Sequence, residues 1–134
     1  MDDCVFCKII RKELPAYVVY EDEDTMSIIP LEMEVLGHLL VIPKQHCQDV
    51  FSTPSEVLAA VMKTVKKMSH LVKDKLGATG VNILNASGKD AEQTVFHLHF
   101  HVMPRYAEDG LKIWPKFPRP DVDKQELLKR LTKD

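Results

Sequence analysis

The stretch QTVFHLHFHVMPRY, residues 93–106, places three histidines at every second position inside a run of bulky apolar side chains. Side chains alternate across a strand, so this pattern predicts a strand with His97, His99 and His101 on one face and Phe96, Leu98, Phe100 and Val102 on the other. The apolar face is expected to meet the core. Successive histidines would stand roughly 7 Å apart, from a rise of about 3.3 Å per residue. Three partly buried imidazoles each need a hydrogen-bond partner or a ligand, so the row reads as a site rather than as core filling. Pro104 is expected to end the strand.

Outward from this row, GVNILN (residues 80–85) reads as a strand and ASGKDAEQ (86–93) as a polar loop. Upstream, residues 52–77 carry Val57, Leu58, Val61, Val65, Met68, Val72 and Leu76 at helical spacing, with lysines mostly between them. That is one long amphipathic helix. Thr53 is its candidate N-cap, with Pro54 at the first helical position, Glu56 as capping-box partner and Gly77 as the stop. AYVVYED, TMSIIP and GHLLVIPK, bounded by Asp, Pro or Gly, predict three further strands. Beyond Trp114, three prolines (Pro115, Pro118, Pro120) predict a tail over the surface before a short helix at KQELLKRL. Short gaps between strands and one long helix predict an α+β fold: an antiparallel sheet covered by helix on one face.

Composition bounds the rest. The chain has 134 residues, the size of one domain, with 45% hydrophobic residues, 28% charged and a net charge of -2. The reading is a single domain, 1–134, with a core of about 4–106 and a tail of 107–134. A balance this close to neutral argues against a nucleic-acid partner. Absence of a long apolar run argues against a membrane span, and the acidic opening MDDCVFCKII argues against a secretory leader. The cytoplasm is the expected location, or also the nucleus in a eukaryote. Three cysteines (Cys4, Cys7, Cys47) are too few for a disulfide scaffold and suit reduced thiols or metal ligands.

QTVFHLHFHV resembles the pattern of the histidine triad (HIT) family, in its Hint-like branch. CVFCKIIRKELPA resembles that branch's N-terminal Cys-x-x-Cys segment, GHLLVIPKQH its central strand and MPRY its exit from the last strand. The resemblance implies a five-stranded sheet with short N- and C-terminal helices that dimerises into ten strands. It also implies a hydrolase similar to adenosine 5′-monophosphoramidases, cleaving phosphoramidate or related bonds at the α-phosphorus of AMP or GMP derivatives. Diadenosine polyphosphate hydrolysis and a weakly catalytic nucleotide-binding module are the alternatives.

By the same resemblance His99 is the nucleophile, and its Nδ1–H is expected to bond a backbone carbonyl so that Nε2 is bare. His101 and His38 are expected to donate to phosphate oxygens, and Thr94 to relay a proton to the leaving group. Asn85 and Gln93 are expected to touch the phosphate or hold its loop, while Phe6, Ile28 and Leu40 are candidates for the base pocket. Cys4, Cys7, His46 and His97 are the expected ligands of a structural zinc that the chemistry itself does not need. The pattern is broken twice. Pro30 stands where the family carries an Asp that holds the ribose hydroxyls, which would move that recognition to Glu32 or another group, or weaken it. Glu92 stands where a Gly is usual and is expected to point outward, beside Lys89. Trp114 resembles a tail tryptophan that reaches the partner protomer's site.

Overall fold

The computed structural model describes residues 3–133. In chain order it has α1 (Val5–Ile10), β1 (Tyr17–Glu21), β2 (Thr25–Ile29), β3 (Leu39–Pro43), α2 (Ser55–Leu76), β4 (Gly80–Leu84), β5 (Phe100–Arg105) and α3 (Lys124–Thr132), with a 3-10 turn at Lys89–Ala91. The five strands form one antiparallel sheet in the order β1-β2-β3-β5-β4. This is the α+β architecture expected. Among the described residues no helix is long and apolar enough to cross a membrane.

Strand alternation divides the core. Leu39, Val41 and Val102 point to one face, where Val61, Val65, Met68 and Val72 of α2 cover them. Burying each such side chain contributes about 1.5–3 kcal/mol. Met26, Ile28, Leu40 and Ile42 point to the other face and pack on Phe6 and Ile9 of α1. That second face is the one that carries His101, which lies opposite Leu40 in the β3–β5 register.

Two expectations need correction. The last strand begins only at Phe100, after His97 and His99, and continues through Pro104 to Arg105. Residues 97–99 leave the ladder because other groups take their hydrogen bonds: the Leu98 N–H donates to the Cys47 carbonyl at 2.7 Å, and the Asn85 side-chain amide donates to the His99 carbonyl at 3.0 Å. Phe96, expected in the core, is 46% exposed. At the start of α2 the cap is Pro54 rather than Thr53. The Thr53 hydroxyl is spent on the Asp49 carbonyl at 2.5 Å, so it serves the preceding turn. The other end is as read: Gly77 adopts φ 75°, and the Ala78 N–H reaches back to the Val72 carbonyl. The C-terminal tail and α3 lie on the surface, with Asp123 as the N-cap of α3.

One core feature yields a stability prediction. Thr25 and Thr64 share a 2.6 Å hydroxyl contact between β2 and α2, but the neighbouring Ser27 hydroxyl is wholly buried without a partner. An orphaned buried polar group costs about 1–3 kcal/mol. Ser27→Ala is therefore expected to raise stability by about 1 kcal/mol, read as a higher urea midpoint at unchanged slope. A lower midpoint would show that the hydroxyl has a partner.

Candidate active site

The segment that leaves the ladder is held from both sides, and this sets the direction of each imidazole. Below it, the His97 Nε2–H donates to the Pro43 carbonyl at 2.8 Å. Above it, Asn85 holds the His99 carbonyl, and its own oxygen accepts from the Ser87 hydroxyl at 2.7 Å. Gln93, 5% exposed, donates to the carbonyls of Gln48 and Val95 and accepts from the Gly88 N–H. All three bonds go to backbone, so Gln93 holds the loop.

These bonds assign the tautomers. His99 Nδ1–H donates to the His97 carbonyl at 2.9 Å, which leaves Nε2 bare. His99 is 8% exposed, yet Nε2 is not sealed: Ser27 Oγ is the single fully buried side-chain N or O atom without a partner among the described residues. Alongside, the Glu34 backbone N–H donates to His38 Nδ1 at 3.2 Å. A neutral His38 must then carry its proton on Nε2 and donate to His101 Nδ1, 2.9 Å away. His101 in turn carries its proton on Nε2. A lone pair on His99 and a donor on His101 thus stand on adjoining rings, with centroids 5.2 Å apart.

Neutrality is supported by burial. Desolvation pushes His101 down to about 4, helped by neighbouring His99 and His38, and pushes His38 down as well. It also lowers His99, partly offset by the bond to the His97 carbonyl. Because the folded chain resists protonation here, the unfolded chain binds more protons from about pH 6.5 down to about pH 4. Stability is expected to be unaffected by these groups above that window and to fall as pH drops through it. Urea midpoints measured between pH 7 and pH 4 check this; a midpoint that rises on acidification would contradict it.

His97 does a different task. With Nε2–H on Pro43, its Nδ1 lone pair faces Cys4 Sγ at 3.4 Å, Cys7 Sγ at 3.5 Å and His46 Nδ1 at 3.2 Å. His46 Nδ1 is in turn 3.2 Å from Cys7 Sγ, and all four ligand atoms lie within 4.8 Å of one another. A tetrahedral zinc, with Zn–S of about 2.3 Å and Zn–N of about 2.0–2.1 Å, requires S···N edges of about 3.5 Å and an N···N edge of about 3.3 Å. The donor set fits that requirement. Burial, and then the Cys4 sulfur, push the Cys7 thiol up, which a bound cation would reverse. Cys4 also caps α1, accepting from the Cys7 N–H.

Phe6 lies between these two cysteines, packs edge-on against His99 with centroids 5.2 Å apart, and lines an apolar cavity of about 640 Å³. Ile28, Leu40 and Pro30 line the same cavity. Other expected residues lie elsewhere. Thr94 is exposed in a shallow depression with Cys4, His46 and Phe96. Glu32 is exposed and does not line the cavity. Glu92 is exposed, with φ 68°, a left-handed conformation that explains why glycine suits this position. Trp114 is 83% exposed. The sequence reading missed the main-chain groups that orient the rings, at Glu34, Pro43 and Cys47.

The model described as the HIT domain matches residues 11–108. An uncharacterized HIT-like protein of Methanocaldococcus jannaschii is 43% identical over 129 residues, covering 96% of this chain and 98% of its own. An adenosine 5′-monophosphoramidase of Candida albicans is 34% identical over 137 residues, covering 98% and 90%. A solved structure, that of a Zn-bound histidine triad family protein from Mycobacterium smegmatis, matches with a TM-score of 0.80 at 39% identity, covering 93% of this chain and 87% of that one. By its histidine row, its sheet and these similarities, the chain belongs to the histidine triad, or HIT, family.

Proposed function

We propose that the protein hydrolyses phosphoramidate or related bonds at the α-phosphorus of purine nucleoside monophosphate derivatives, with His99 as nucleophile. The observation that carries this reading is the tautomer pair: a bare Nε2 on His99 beside an Nε2–H on His101. The similarity to a Candida albicans adenosine 5′-monophosphoramidase supports it. In the first step His99 Nε2 attacks phosphorus and the P–N bond to the leaving amine breaks, giving a nucleotidyl-histidine. His101 donates to a non-bridging oxygen as charge gathers there, backed by the proton that His38 supplies to its other nitrogen. The departing amine takes a proton from solvent as it leaves, since Thr94 opens onto the depression beside Cys4 and His46 rather than onto His99. In the second step water attacks phosphorus and gives up a proton to solvent, the bond to Nε2 breaks, and a nucleoside monophosphate leaves with His99 neutral again.

The chemistry needs no metal. Cys4, Cys7, His46 and His97 would hold a zinc whose contribution is structural, tying α1 to the segment that carries His99. A zinc-bound relative supports that assignment. We also read the chain as a homodimer formed through β4, an edge strand with Ile83 and Leu84 exposed. The test of the central claim is intact mass measurement after a reaction with an adenosine phosphoramidate is quenched in denaturant at alkaline pH, where a P–N bond to histidine survives. A gain of one nucleotidyl group is expected in the wild type and not in His99→Asn; the same gain in both would remove His99 from the role.

A further inference from the structure

The cavity beside the histidines has hardly any chemistry of its own. Phe6, Ile9, Ile28, Leu31 and Leu40 make up much of its wall, and of all its lining side chains Tyr17 alone carries a polar atom. Pro15 and Pro30, also in the wall, contribute no N–H. The carboxylates that follow Pro30 in the chain, Glu32 and Glu34, are exposed on the loop between β2 and β3 and line none of it. The cavity nevertheless adjoins the histidines through two of its lining residues: Phe6 packs on the His99 ring, and Leu40 pairs with His101 in the ladder. A group attached to phosphorus at His99 Nε2 therefore has this cavity as its neighbour.

A buried hydroxyl without a partner is penalised, and a site built to bind one rejects the analogue that lacks it by about 10⁴–10⁵-fold. An apolar wall has no such means of rejection. Building on the function proposed above, we infer that the cavity takes the organic half of the substrate by apolar contact and leaves sugar hydroxyls unread. Compounds with 2′-deoxyribose or 2′,3′-dideoxyribose, and phosphate monoesters of flat aromatic alcohols, are then bound as well as the ribonucleotide.

Titration calorimetry with AMP, 2′-deoxy-AMP, 2′,3′-dideoxy-AMP and 1-naphthyl phosphate tests this, run beside turnover of the adenosine and 2′,3′-dideoxyadenosine phosphoramidates. Dissociation constants that agree within about tenfold across the series support the inference, since an unread hydroxyl carries little discrimination. A loss of more than about tenfold for the dideoxynucleotide or for naphthyl phosphate overturns it, as does failure of all four to bind. Level affinities without turnover of either phosphoramidate would leave the inference standing and remove the proposed hydrolysis. Turnover confined to the ribose compound would do the reverse.

Discussion

His99→Asn is expected to reduce kcat/KM for an adenosine phosphoramidate by about 10⁴-fold or more, the scale at which removal of a nucleophile is felt. At about 1.4 kcal/mol per factor of ten this is a loss of about 5.5 kcal/mol of transition-state stabilisation. Asparagine suits the test because its side-chain amide can still donate to the His97 carbonyl, where His99 Nδ1 now donates. The bend between residues 97 and 99 should then persist, and the loss is chemical rather than structural. Affinity for AMP should change by less than about threefold, because the donor on His101 and the apolar cavity stay in place. Residual turnover within about tenfold of the wild type would show that another group attacks phosphorus.

The second large effect is on stability. In zinc-loaded protein, Cys7→Ser should remove a ligand that is buried and shared with His46 and His97. If free zinc exceeds the dissociation constant about 1,000-fold, binding contributes about 4 kcal/mol to the folded state. At about 2.1 cal/mol/K per residue over 134 residues, losing it lowers Tm by about 14 °C. A chelator should produce the same fall in the wild type and no further fall in Cys7→Ser. Turnover measured well below the lowered Tm should survive in part, which separates a structural ion from a catalytic one. A Tm indifferent to chelation would mean that the four ligands hold no metal.

Much of the fold was legible because its signals are local. The seven-residue apolar stripe of α2 and the αL glycine at its end need no partner to be read. The β2 and β3 strands, with Ile28 and Leu40 on the cavity side, follow from alternation. The four metal-ligand candidates, two cysteines and two histidines in three separate segments, were implied by the family resemblance, and the fold brings them together. The first half of the histidine stretch was misread because alternation describes side chains, whereas strand or bend is decided by where the backbone finds partners. Those partners, the Cys47 carbonyl and the Asn85 amide, are distant in sequence. The start of α2 was off by one residue for a similar reason: the Thr53 hydroxyl had a nearer carbonyl to serve. Ring orientation was harder still, since main-chain groups at 34 and 43 bear no residue-type signature.

The Glu34 amide has one more implication. Since the group that sets the His38–His101 pair belongs to the main chain, nearly any residue can occupy position 34 without disturbing which nitrogen is protonated. Proline is the exception, having no N–H to give. Glu34→Pro should free His38 to take up either protonated form and so blunt the phosphate-facing donor, lowering kcat while AMP affinity changes little; kinetics with Glu34→Ala as the matched control would show it. At position 34 the backbone N–H is thus what the His38 tautomer requires, whatever side chain stands there.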